Sequence, residues 1–147
     1  MSAVLRWEGI DPLRQWLRRA LVRLEDRARL HERAGRAITG WVGRNFESAG
    51  SLATETSAGW PALAPRTLAA RRRRGLGAGP LQATGRLRAG VRARSGIAGV
   101  TVDDPVPYAA RHQLGLGVPA RPFLPTAAQA RRIVDPVVGT FLAEALR

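Results

Sequence analysis

Two histidines, His31 and His112, and four loop serines are the side chains here best suited to acid–base or nucleophilic chemistry. The sequence has no cysteine, which removes disulfides, thiolate–metal sites and cysteine nucleophiles. The histidines stand far apart, and neither has carboxylates at metal-ligand spacing beside it. His31 falls on an apolar helical stripe, where a packed or rim histidine is expected. Ser48, Ser51, Ser57 and Ser95 lack a Gly-x-Ser-x-Gly elbow. Gly75-Leu76-Gly77-Ala78-Gly79 looks like a phosphate cradle, yet no hydrophobic strand precedes it and no Gly-Lys-Ser/Thr follows. Pro80 stands where a dinucleotide fingerprint needs glycine, so a loop is expected. Asp103 and Asp104 are adjacent and would point to opposite faces of a strand, which suits a strand-ending turn. The expectation is a non-enzyme with no catalytic, cofactor or metal-binding residues.

Charge is the strongest compositional signal. All 24 basic residues are arginine, against 11 acids, for a net charge of +13 over 147 residues. Residues 56–102 contain no acid and nine arginines: Arg66, Arg71, Arg72, Arg73, Arg74, Arg86, Arg88, Arg92 and Arg94. Such a window suits a polyanion or an acidic protein partner, or reflects a coding bias towards arginine. DNA readout lacks its usual companions: no aromatics interleave with Arg71–Arg74, and no zinc-finger or helix-turn-helix pattern stands out. At 45% hydrophobic and 24% charged residues the chain can bury a core, and its length suits one domain. The longest uncharged run, Gly75 to Gly85, is too short to cross a membrane. Charges at Arg6, Glu8 and Asp11 argue against a signal peptide, so a soluble, cytoplasmically made protein is expected.

The elements follow from period and punctuation. Asp11-Pro12 is a helix start, with aspartate as cap and proline at the first helical position. Leu13, Leu17, Ala20, Leu21, Leu24 and Ala28 then recur at helical steps, and the stripe continues through His31, Ala34, Ile38, Trp41, Val42 and Phe46. Glu25–Arg29 and Glu32–Arg36 are i,i+4 pairs, and Gly35 predicts a bend or break. Residues 47–60 read as a loop, Pro65 opens a short helix over 66–74, and Thr84 caps a turn through Leu87. The period then changes to two around Ser95-Gly96, which predicts a hairpin turn there. A short helix is expected over 106–114 and an extended, proline-rich loop from Gly115 to Pro125. A last helix starts near Thr126, kinked or restarted at Asp135-Pro136. The fold class expected is α+β, with a long N-terminal helix and a C-terminal helix packed on a small antiparallel β-sheet. One domain spans 1–147, helical over 1–48 and motif-bearing over 56–147.

Four short motifs stand in order. They are Gly59-Trp60-Pro61-Ala62-Leu63-Ala64-Pro65-Arg66-Thr67, Pro80-Leu81-Gln82-Ala83-Thr84-Gly85-Arg86-Leu87-Arg88, Tyr108-Ala109-Ala110-Arg111-His112-Gln113-Leu114-Gly115 and Pro119-Ala120-Arg121-Pro122-Phe123-Leu124. This succession resembles the phage virion-morphogenesis family, the tail-completion proteins of Mu-like tailed bacteriophages, over roughly residues 35–147. The resemblance implies a virion structural protein at the tail end or head–tail junction. It implies a homo-oligomeric ring, hexameric by analogy, that contacts tail tube, sheath or neck and connector proteins. No membrane contact is implied, and contact with passing DNA is at most transient.

The motif residues also suggest physical roles. Trp60, Leu63 and Tyr108 are expected to be core anchors, with Thr67, Leu81, Thr84, Leu87, His112 and Gln113 completing the motif set. Gly85 and Gly115 supply backbone conformations that a side chain hinders. Pro119 and Pro122 stiffen a segment presenting Arg121, Phe123 and Leu124, either to a neighbouring subunit or to the chain's own last helix. Arg71, Arg72, Arg73 and Arg74 are interface candidates for acidic virion partners, with a DNA-contacting window over 56–102 as the alternative. Trp7, Trp16 and Trp41 give the N-terminal stripe more apolar surface than a small sheet needs, which suits a contact with the next subunit or ring.

Overall fold

The computed structural model of the protein describes residues 11–147, and of Asp11, Ala20, Arg23 and Leu24 the backbone alone. Trp7 and the charges read against a signal peptide at Arg6 and Glu8 lie outside the described residues. The elements run α1 (Asp11–Glu25), α2 (Arg27–Glu47), α3 (Ser51–Thr54), α4 (Pro65–Arg73), α5 (Arg86–Gly90), β1 (Arg92–Gly96), β2 (Gly99–Asp103), α6 (Ala109–Leu114) and α7 (Ala127–Ala145). The α+β class is as expected. The sheet is a single antiparallel hairpin of β1 and β2, and α2 is the spine against which both the hairpin and α7 pack.

The helical stripe breaks at Asp26 and not at Gly35. Asp26 leaves helical geometry with ψ 60° and accepts a hydrogen bond from the Arg29 amide at 3.1 Å, which caps α2 from inside the long helix. Gly35 stays inside α2, buried under the hairpin. A Cβ there would come 2.9 Å from the Ala93 Cβ and 3.1 Å from Val100 Cγ2, so glycine is what allows strand and helix to touch. The turn also falls later than Ser95-Gly96: Gly96 pairs with Gly99, leaving Ile97 and Ala98 as the loop. His31 Nδ1 bonds the Gly96 carbonyl at 2.5 Å, and Asp103 meets both Arg92 and Arg94 across the ladder. Together these contacts hold that register.

The core gathers Trp41, Val42, Phe46, Trp60, Leu81, Leu87, Val106, Ala109 and Phe123. Phe46 is its hub, edge-on to Trp60 at 5.3 Å between ring centroids and tilted against Phe123 at 5.8 Å. The last helix does not restart at Pro136, which lies inside a continuous α7 on an exposed side, where a missing backbone bond is least costly. Its start is fixed by a capping box: Thr126 accepts from the Gln129 amide, and the Gln129 side chain accepts from the Thr126 amide. Among the described residues no helix is long and apolar enough to cross a membrane.

Candidate functional site: a cationic cavity where the four motifs meet

The motifs, spread over more than sixty residues, converge on one place. Their first job there is to tie loops together through buried polar groups. Gln113, on α6, acts as a short artificial strand: its Oε1 accepts from the Phe123 and Leu124 amides at 2.9 and 3.0 Å, and its Nε2 donates to the Leu124 carbonyl at 3.3 Å. The Arg121 amide donates to the His112 carbonyl at 2.7 Å. Trp60 Nε1 donates to the Pro122 carbonyl at 2.8 Å, and Arg121 returns the tie by donating through Nε and Nη2 to the Pro61 carbonyl at 3.0 and 2.9 Å. Arg121 is only 5% exposed, and burying a guanidinium at this depth requires such partners.

These ties leave a cavity of about 520 Å³ bounded by residues 62–64, α4, the 81–87 segment, α6 and residues 118–121. Leu63, Leu81, Leu87, Val118 and Pro119 supply apolar wall, and Thr67, Thr84 and Tyr108 add hydroxyls. The charged lining is cationic, Arg71 and Arg121, with His112 beside them. Arg71, half-buried on α4, spans the glycine-rich loop by donating to the Gly77 and Gly79 carbonyls at 3.0 and 2.8 Å. Burial holds the His112 imidazole below its ordinary 6.5, and the charges of Arg121, Arg111 and Arg71 lower it further. The ring is therefore neutral at pH 7, and its Nδ1 is buried without a hydrogen-bond partner. Among the described residues no group of three His, Cys, Asp or Glu could hold a metal ion.

Several candidate residues sit elsewhere than the sequence suggests. Tyr108 is 37% exposed and stands edge-on to His112 at the cavity wall; Val106 and Ala109 fill the core on either side of it. Leu63 is half-buried in the same wall, not a core anchor. Phe123 is 1% exposed against Phe46, and Trp41 is buried in the same cluster, so within this chain both are core and not interface. Arg121 is likewise turned inward onto residues 61 and 62, and Leu124 packs partly buried on the core. Arg121, Phe123 and Leu124 share a physical reason: the proline-stiffened 119–124 segment is pulled in by Gln113, Trp60 and Asn45 rather than projected outward. Pro119 remains exposed.

The other candidates divide by position. Trp60, Leu81 and Leu87 lie in the core, and Thr67 is half-buried in the cavity wall. Thr84 is exposed and its Oγ1 accepts a long bond from the Arg86 amide, 3.4 Å. Gly85 and Gly115 have φ of 71° and 75°, and at Gly115 a Cβ would also lie 2.9 Å from the Ala120 Cβ. Arg72, Arg73 and Arg74 are exposed on the outer turn of α4 and beyond it. Trp16 is 38% exposed, with its Nε1 donating to the Leu146 carbonyl at 3.1 Å.

Three amides escaped sequence reasoning. Asn45 is fully buried beneath the motif segments, donating to the Pro122 and Phe123 carbonyls and accepting from the Ala53 amide at 3.0 Å. Its signal was an amide four residues after Trp41 on an otherwise apolar stripe. Gln82 donates to the Phe46 carbonyl at 2.8 Å, and Gln129 to the carbonyls of Leu52 and Ala53. Nothing in their local sequence marks those long-range partners.

No curated protein and no solved structure matches the chain. A family's sequence model does, over residues 9–143, so the match takes in α1 and begins well before the residue 35 at which the motif resemblance starts. With nearly the whole chain matched, four motifs in order and an α+β fold built around them, the chain belongs to the phage virion morphogenesis family.

Proposed function

We propose that this chain is a structural tail-completion protein that assembles as a ring at the tail end and joins the tail to the head or neck. The observation that carries this reading is the apolar face of α1 in a chain of a virion-morphogenesis family. Leu13, Leu17 and Leu21 recur at four-residue steps and stand 45–58% exposed, beside the half-exposed Trp16, whose Nε1 reaches the Leu146 carbonyl at the end of α7. A contiguous apolar stripe of this kind on a highly charged chain suits burial against another subunit. Head-to-tail contacts between identical copies close into a ring when the rotation per subunit divides the circle; a hexamer follows by analogy with tail tubes. The role is structural, without catalysis.

Contact with DNA through residues 56–102 is the second reading, favoured by the exposure of Arg72, Arg73 and Arg74. Three of the nine arginines in that window are paired with carboxylates inside the chain: Arg88 with Glu47, and Arg92 and Arg94 with Asp103. That engagement lowers the charge available to phosphates and ranks the DNA reading second. Electron cryomicroscopy of particles assembled with a tagged copy tests the proposal. Density for the tag is expected as a closed ring at one tail end. Particles of normal composition that lack the chain would overturn it.

A further inference from the structure

We propose that the cationic cavity receives an acidic side chain from a different virion protein, a carboxylate presented beside an apolar residue. The identity of the partner rests on the assembly role above; the chemistry rests on the cavity alone. At about 520 Å³ it has the size of a built binding site and is far too large for a water-filled packing flaw. Its lining carries two guanidinium groups and no carboxylate. The charges that lower the His112 pKa are those of Arg121, Arg111 and Arg71, and the lining offers them no carboxylate as counter-ion. The two guanidinium groups are already immobilised, Arg71 on the Gly77 and Gly79 carbonyls and Arg121 on those of Pro61 and Ala62. Each spends only part of its five donors there, and a fixed, partly used guanidinium is pre-organised for a planar carboxylate. His112 is a further polar group of the lining, and its buried Nδ1 has no hydrogen-bond partner in the free chain.

The walls decide what brings the anion. Leu63, Leu81, Leu87, Val118 and Pro119 would bury apolar surface against a peptide side chain, whereas a solvated phosphate of nucleic acid gains nothing from them. A second copy of this chain is a poor donor of the acid. It carries a net charge of +13, and the cavity draws much of its wall from the acid-free residues 56–102, so like charges would face each other.

The experiment uses the full chain and a short rhodamine-labelled peptide with one glutamate between leucines, read by fluorescence anisotropy. Saturable binding in the sub-millimolar range is expected, with the glutamine counterpart about tenfold or more weaker. Arg71→Gln should weaken binding to the same degree. Because Arg71 also holds the glycine-rich loop, Leu63→Trp provides the independent check: it fills the cavity, keeps every cation, and should abolish binding while circular dichroism stays unchanged. Equal binding of the two peptides overturns the proposal, as does wild-type binding by the Leu63→Trp protein. Displacement of the peptide by inorganic phosphate or a short DNA duplex at lower concentration than by unlabelled peptide also overturns it, and marks a phosphate site. A chain that forms tail-end rings yet binds no such peptide refutes this inference alone; a chain that binds it but is missing from particles refutes only the assembly role.

Discussion

Gln113 has the structural effect of a missing β-strand. One side-chain amide satisfies the N–H groups of Phe123 and Leu124 and the carbonyl of Leu124, and so fixes the segment that closes the core over Phe46. Gln113→Leu keeps the volume and removes the bonds. Leaving two amides without partners costs about 1–3 kcal/mol each, so a loss of roughly 2–6 kcal/mol in a urea-unfolding series is expected. A loss under about 0.5 kcal/mol, the usual range of a neutral surface change, would contradict the role. At this scale the residue types suggest an interface for Arg121 and Trp41 and leave Phe123 open between a neighbouring subunit and the chain's own last helix. Arg121, Phe123 and Trp41 are residue types enriched at interfaces, and all three are turned inward. Composition cannot distinguish an arginine that meets a partner from one that meets its own backbone carbonyls. The deciding groups, Asn45, Trp60 and the Pro61 carbonyl, are distant in the chain from the 119–124 segment.

Elements were legible where local signals decide them and displaced where tertiary contacts do. Pro65 starts α4 and Thr126 starts α7 as their capping chemistry suggests. The hairpin exists, but its turn follows the contacts of β1 with α2 and of Asp103 with two arginines, which no local period encodes. Gly35 is the clearest case: read locally it is a weak point in a helix, and in the fold it is the seat of the hairpin. Gly35→Ala sets a gain of up to about 1 kcal/mol in helix propensity against one tight contact, so the two nearly offset. Gly35→Val adds a branched side chain where Ala93 and Val100 leave no room. A loss of about 1–3 kcal/mol is expected from overpacking, read as a lower melting temperature. Unchanged melting in the valine variant would mean that the hairpin does not rest on α2 at this point.

For the molecule as a whole, charge and shape point in different directions until burial separates them. A net charge of +13 suggests nucleic acid, yet arginines of the acid-free window neutralise Glu47 and Asp103, and Arg71 stitches a loop. Among the described residues, Leu13, Leu17 and Leu21 of α1 stay exposed on a stripe that the helical period already displays in the sequence. In sequence the stripe reads as one run from Leu13 to Phe46; that Trp41 ends in the core while Trp16 stays half-exposed could not be read, because the break at Asp26 divides them. The proposed ring would use that stripe, and native mass spectrometry of the full chain beside a Leu17→Glu/Leu21→Glu variant tests it most directly. The expected result is a closed oligomer of one defined size for the natural chain and a folded monomer for the variant, with unchanged circular dichroism. A natural chain that stays monomeric at high micromolar concentration, or a variant that assembles equally well, would contradict assembly through this face.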